Sequence, residues 1–152
     1  MKLLIAEDDP VSRRLLQNYL QKWGHEVVAT TNGAEAWQRF QAEPFPLVIS
    51  DWNMPEMDGL ELVKRIRAQP DRGYSYIILV TDKSQKEDVV TGMDAGADDF
   101  ITKPFDRDEL HARLRAGERI VALERRLEEQ NHALRTAQAA LGQNTTLGPE
   151  AR

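Results

Sequence analysis

The sequence contains no cysteine. That excludes a disulfide framework, a thiolate metal site and a cysteine nucleophile. Its 3 histidines are scattered, too few for a histidine-rich metal centre. No apolar run approaches the roughly 20 residues that a membrane span needs. The opening Met-Lys-Leu-Leu-Ile-Ala-Glu-Asp-Asp turns acidic too soon for a signal peptide. The expectation is a cytoplasmic protein without a membrane partner. A basic excess is also lacking: 25 acids face 20 bases, for a net charge of −5. That argues against direct contact with nucleic acid, which usually requires a basic patch.

What remains is a globular composition, 41% hydrophobic and 30% charged over 152 residues, enough for one sizeable core. The charge is unevenly placed. Residues 106–152 carry 8 acids and 8 arginines, whereas residues 1–105 carry 17 acids against 12 bases. The whole imbalance therefore lies in the first 105 residues.

That part alternates apolar runs with amphipathic stretches. The runs are Leu3–Ala6, Val27–Ala29, Leu47–Ser50, Ile77–Val80 and the short Asp99–Thr102. They are rich in Val, Ile and Leu without strict alternation, as strands of a parallel sheet covered on both faces are. Helix start signals follow each run: Asp9-Pro10, then Asn32-x-x-Glu35, Asp58-x-x-Glu61, Ser84-x-x-Glu87 and Asp106-x-x-Glu109 at capping-box spacing. Gly24 and Pro70 supply stop signals. Five βα units predict an α/β fold, a (βα)5 doubly wound, five-stranded parallel sheet of flavodoxin-like type with helices on both faces.

The fifth helix does not stop. From about Asp108 to about Leu141 there is no proline and one glycine, Gly117. Leu110 and Leu114 are expected to pack on the sheet. Beyond them Ile120, Leu127, Leu134 and Leu141 recur every seven residues, with Leu123, Gln130 and Ala137 at the other seam position, an a/d heptad pattern. At 1.5 Å per residue the helix reaches about 50 Å, so its second half is expected to project. The domains read as 1–118, a projecting coiled-coil helix over 119–141, and a polar, flexible tail over 142–152. A parallel homodimer through the helix would set Arg119 at position g opposite Glu124 at position e of the second copy. Gln130 and the small Ala137 weaken that seam.

In an open α/β sheet, ligands bind beyond the carboxyl ends of the strands. The first predicted strand ends in Glu7-Asp8-Asp9, the third in Asp51, the fourth in Thr81 and the fifth in Lys103. Crowded carboxylates repel one another, and a hard divalent cation relieves this. Oxygen ligands select Mg²⁺ or Mn²⁺ over zinc. Asp51 then becomes a plausible nucleophile toward a phosphoryl group, with Thr81 and Lys103 holding the other phosphoryl oxygens.

At these residues the chain resembles the receiver domain of two-component response regulators, the CheY-like family. The matching pieces are Leu4-Ile5-Ala6-Glu7-Asp8-Asp9, Ser50-Asp51-Trp52-Asn53-Met54-Pro55 with Asp58-Gly59, Leu79-Val80-Thr81, Gly96-Ala97-Asp98-Asp99-Phe100, and Lys103-Pro104-Phe105. The spacings also fit: 43 residues from Asp8 to Asp51, 30 to Thr81 and 22 to Lys103. The resemblance covers about residues 1–118. It implies Asp51 as phosphoacceptor, Asp8 as a direct Mg²⁺ ligand, Glu7 acting through water, and Asn53 lending its backbone carbonyl to the metal. It implies Thr81 and Lys103 as phosphoryl-binding residues, Phe100 as the aromatic switch partner of Thr81, and a cis Lys103-Pro104 bond. Asp9 reads as a helix cap. The implied activity is a phosphorylation-dependent switch loaded by a histidine kinase or phosphotransfer protein. Its only chemistry is its own phosphorylation and dephosphorylation. Trp23 and Trp37 read as helix packing, and Trp52 as partly exposed beside the site.

Two departures stand out. Asp82 occupies a position where the family has a small residue such as Ala, and a carboxylate there is expected to repel the phosphoryl group. Asn53 and Lys83 stand where side chains tune aspartyl-phosphate lifetime. The long helix is similar to linkers joining receivers to effectors such as diguanylate cyclases. Two rivals compete with the switch. One is a Mg²⁺-dependent phosphohydrolase with an aspartate nucleophile, which usually needs a second acid where this chain has Asn53. The other is a degenerate receiver serving only as a dimerisation module.

Overall fold

Five strands pair in parallel in the order β2-β1-β3-β4-β5: β1 (Lys2–Ala6), β2 (Glu26–Thr30), β3 (Leu47–Asp51), β4 (Tyr76–Thr81) and β5 (Asp99–Thr102). They alternate with α1 (Pro10–Lys22), α2 (Gly33–Ala42), α3 (Gly59–Arg67), α4 (Lys86–Ala95) and α5 (Arg107–Leu147). The computed structural model describes residues 1–69, 73–82 and 86–147, with side chains of the helical residues to 142 apart from residue 86. The expected stop at Pro70, the cap at Ser84, Lys83 and the end of the predicted tail lie outside the described residues. Among the described residues no helix is long and apolar enough to cross a membrane.

Every residue of β3 and β4 is buried, which their unbroken Val/Ile/Leu runs require. Successive side chains feed two cores. On one face Leu3, Ile5, Leu47, Ile49, Ile78 and Val80 meet Leu16 and Leu20 of α1 and Leu110, Leu114 and Val121 of α5. On the other, Leu4, Val48, Ile77 and Leu79 meet Ala36 and Phe40 of α2 and Leu62, Val63 and Ile66 of α3. Trp23 stacks on His111 with centroids 4.1 Å apart, and Trp37 stacks on Phe40 at 6.2 Å.

Four of the expected caps form. Asp9 accepts from Ser12 N at 2.8 Å, Asn32 from Glu35 N at 2.7 Å, Asp58 from Glu61 N at 2.9 Å and Asp106 from Glu109 N at 3.0 Å. The acid half of the box behaves differently. Glu35 accepts from Thr31 N rather than from the cap residue, and Glu61 pairs with Arg65 instead. At Glu61 the guanidinium one turn on takes the exposed carboxylate in place of the N-terminal amide. Gly24 takes φ +91° after α1, the left-handed conformation its stop signal calls for.

The chain forms two compact units, Met1–Val121 and Ala122–Arg152. The first holds the sheet and the start of α5. In the second, α5 continues through Gly142 to Leu147.

Candidate functional site

The strand order reverses between β1 and β3, the switch point where an open α/β sheet leaves a crevice at its carboxyl edge. Register decides what stands there. Ala6 pairs with Ser50, so Glu7 and Asp51 are level with each other one residue on. Asp51 pairs with Val80, which sets Thr81 one step beyond it. Thr81 pairs with Thr102, so Lys103 follows at the same edge. Four residues distant in sequence thus share one rim because three strand pairs hold their register.

The carboxylates of Glu7, Asp8 and Asp51 each offer an oxygen within 4.8 Å of the others. Glu7 is 1% exposed and Asp51 8%, whereas Asp8 faces solvent. Lys103 Nζ lies between the two buried acids, 2.9 Å from Asp51 Oδ2 and 3.0 Å from Glu7 Oε1. Its contact with Glu7 is an ion pair without hydrogen-bond alignment, so Glu7 Oε1 is buried and lacks a hydrogen bond. Glu7 Oε2 accepts from Asp9 N at 3.2 Å. Burial, followed by the adjoining Asp51 carboxyl, pushes the Glu7 carboxyl up to about 7 despite Lys103. Burial opposes the charge on Lys103, but its pairing with the Asp51 and Glu7 carboxylates prevails and its pKa is raised.

The surrounding loops are held closely. Arg13, one turn into α1, donates to the carbonyls of Glu7 at 2.9 Å and Asp8 at 3.3 Å. Gly59 opens α3 directly against β3. Its N–H donates to Trp52 O at 2.8 Å, and a Cβ there would stand 2.2 Å from Asp51 O. Asn53 is exposed beside Asp8, and the two line an open hollow of about 420 Å³ with Met54, Pro55 and Asp58. Thr81 is 1% exposed, and its carbonyl accepts from Lys103 N at 2.7 Å. Asp82 follows it and is exposed. Phe100 is half-buried against the core beneath α2 and α3. The Lys103-Pro104 bond is cis.

The acids, Thr81 and Lys103 thus converge as the sequence indicates. Trp52 does not follow expectation: it is buried at 5% exposure, because its indole turns into the core rather than toward the crevice. Arg13 was not legible as a site residue. A cation four residues after an acidic loop, on the first turn of a helix, is the signal that finds it. A second network lies in the Arg67 region. Arg67 donates to Gly96 O at 2.8 Å, Ser75 O at 2.7 Å and Asp98 Oδ2 at 2.5 Å, and Tyr74 also donates to Asp98. This ties the end of α3 to the segments entering β4 and β5.

All donors at the crevice are oxygens and two of the acids are buried, one with an orphaned oxygen. A single ammonium shared between two carboxylates leaves negative charge uncompensated. The set fits a hard divalent cation better than a soft one.

Comparison with known proteins gives a consistent result. The family model described as "Response regulator receiver domain" matches residues 3–115. A chemotaxis protein CheY homolog of Campylobacter jejuni is 41% identical over 116 residues, covering 75% of this chain and 89% of the relative. CheY1 of Helicobacter pylori is 40% identical over 116 residues, covering 75% and 94%. The solved chemotaxis response regulator CheY4 of Vibrio cholerae superposes with a TM-score of 0.72 at 33% identity, covering 76% of this chain and 97% of that one. A putative response regulator from Chloroflexus aurantiacus gives 0.72 at 32% identity, covering 76% and 95%.

Proposed function

The chain belongs to the response regulator receiver domain family, and on that premise we propose that Asp51 accepts a phosphoryl group and thereby switches the protein between two states. The observation that carries this reading is the position of Lys103, which bridges Asp51 and Glu7 with Asp8 within reach. Asp51 Oδ1 accepts from Trp52 N and Oδ2 from Lys103 Nζ, so the carboxylate is held in one rotamer for attack.

The donor is a phosphohistidine on a histidine kinase or phosphotransfer protein. An Asp51 oxygen forms the new O–P bond as the N–P bond breaks, and the imidazole leaves with the electron pair. Lys103 and the Thr81 hydroxyl stabilise the equatorial oxygens, where charge accumulates. Asp8, Asp51 and the Asn53 carbonyl would hold Mg²⁺, with Glu7 acting through water. Bound there, the ion would offset the repulsion among the acids and would supply positive charge for an incoming phosphoryl group. Thr81 and Phe100 carry the response away from the site: Thr81 shifts toward the phosphoryl group and Phe100 turns inward.

Output runs through α5. Its exposed heptad leucines fit a second copy of this chain in a parallel two-stranded coiled coil, and phosphorylation alters what that coil presents to an effector. A diguanylate cyclase is one effector class such linkers serve.

Incubation with a small acyl phosphate and Mg²⁺ tests the phosphoacceptor. Intact-mass measurement is expected to show one added phosphoryl group, absent from Asp51→Asn. Equal labelling of the variant refutes the assignment.

A further inference from the structure

We infer that Trp52 is a positioning residue that links the Asp51 carboxylate to α4 through a fitted contact with Gly92; this rests on Asp51 being the phosphoacceptor. The Trp52 N–H is shared between Asp51 Oδ1 at 2.8 Å and Val80 O at 3.0 Å. Its carbonyl accepts from Gly59 N at 2.8 Å. The Trp52 backbone is therefore fixed to the reacting carboxylate, to the strand that ends in Thr81, and to the start of α3.

The indole runs the other way, into the core, and reaches α4. Gly92 is buried in the middle of that helix. A Cβ on Gly92 would lie 3.2 Å from Trp52 Cζ3 and 3.6 Å from Cη2, the far edge of the six-membered ring, and 3.1 Å from Leu79 Cδ1. Glycine is among the poorest helix formers, so its place here needs a reason in packing. The ring edge and the Leu79 methyl supply one: together they fill the space a side chain would take. On either side of Gly92 in sequence, Val90 and Met93 expose apolar side chains to solvent.

The two Asp51 oxygens are consequently anchored by different parts of the molecule, Oδ2 by Lys103 and Oδ1 by Trp52. A shift of α4 across the ring edge is felt at Oδ1 alone and turns the carboxylate. Phosphoryl transfer needs the attacking oxygen in line, and displacements of a fraction of an ångström matter there. The same contact runs in reverse: a change at Oδ1 reaches the α4 surface bearing Val90 and Met93.

A double-mutant cycle on the full chain tests this, read as the initial rate of Asp51 labelling by a small acyl phosphate with Mg²⁺. Gly92→Ala is expected to slow labelling by about threefold or more, within the coupling range of touching residues. In a Trp52→Phe background the same change is expected to have less than about half that effect, because the phenyl ring ends short of the new methyl. Gly92→Ser carries the same Cβ and repeats the cycle independently. The urea midpoint of each variant separates slow labelling from lost folding. Thr91→Ala, exposed on α4, leaves the rate unchanged. Equal slowing in both backgrounds, or none, overturns the link. Labelling that survives in Asp51→Asn refutes the phosphoacceptor itself, whereas loss of labelling there with equal slowing in the cycle refutes only the Trp52–Gly92 link.

Discussion

Glu7 combines a carboxylate with almost complete burial, beside a second acid that also pairs with Lys103. Its carboxyl is pushed up to about 7, mainly by burial. A raised folded-state pKa on an acid means that the folded chain binds the proton more tightly than the unfolded chain. Glu7 therefore does least harm to stability below about pH 4.5, its unfolded value, and destabilises progressively as pH rises through about 7. Glu7→Gln removes the charge and keeps the shape. Without added metal at pH 8, urea denaturation is expected to show the variant more stable by about 1–3 kcal/mol, with the gain vanishing near pH 4. A variant less stable than wild type at pH 8 would mean that the Lys103 pairing outweighs burial.

At the scale of elements, α5 has two characters within one helix. Up to Val121, which is 1% exposed in the sheet core, it packs as an ordinary amphipathic helix. Further on, Leu123, Leu127, Leu134 and Leu141 are 52–65% exposed at heptad spacing, forming an apolar seam. A second copy is the occupant proposed above. Sedimentation is expected to give a dimer for the full chain and a monomer for residues 1–121. The pair Leu127→Glu and Leu134→Glu is expected to give a monomer that still responds to Mg²⁺. The cut belongs after Val121, since an end at residue 118 would remove a core side chain. An Arg119–Glu124 pair between copies contributes about 0–1 kcal/mol at most, so added salt should leave the dimer largely intact. A full chain that stays monomeric at high concentration removes the coiled coil. Strands and helix starts were the most legible in the sequence, because apolar runs and caps are local. Asp9, Asn32, Asp58 and Asp106 cap where their spacing said they would. The Trp52 contact with Gly92 was not legible, since 40 residues and a strand crossover separate the two and only packing brings them together. Arg67 escaped for the same reason: its partners Ser75, Gly96 and Asp98 come from other segments, with no motif joining them to it.

For the molecule as a whole, the net charge of −5 finds its explanation in where the acids stand. Carboxyl groups from β1 and β3 meet because the sheet order reverses between them, and the fold tolerates their crowding with one half-buried lysine. A ligand that binds only the folded chain stabilises it by mass action, in proportion to the logarithm of its concentration. If the acids form a Mg²⁺ site, free Mg²⁺ at about 100 times its dissociation constant adds about 2.7 kcal/mol to stability. Thermal melts are expected to shift upward with Mg²⁺, to return with a chelator, and to lose the response in Asp8→Asn. Asp8 is exposed, so that substitution removes a ligand without leaving a hole in the core. Two effects could mimic the result, and each has its own signature. General screening of an acidic surface would be reproduced by KCl at matched ionic strength, since it depends on the Debye length and not on the ion's geometry. Loose counter-ion attraction to the acidic chain would survive in Asp8→Asn, because one exposed carboxylate changes the total charge little. Only a bound ion that needs Asp8 together with Glu7 and Asp51 gives a shift that KCl does not reproduce and the single substitution abolishes.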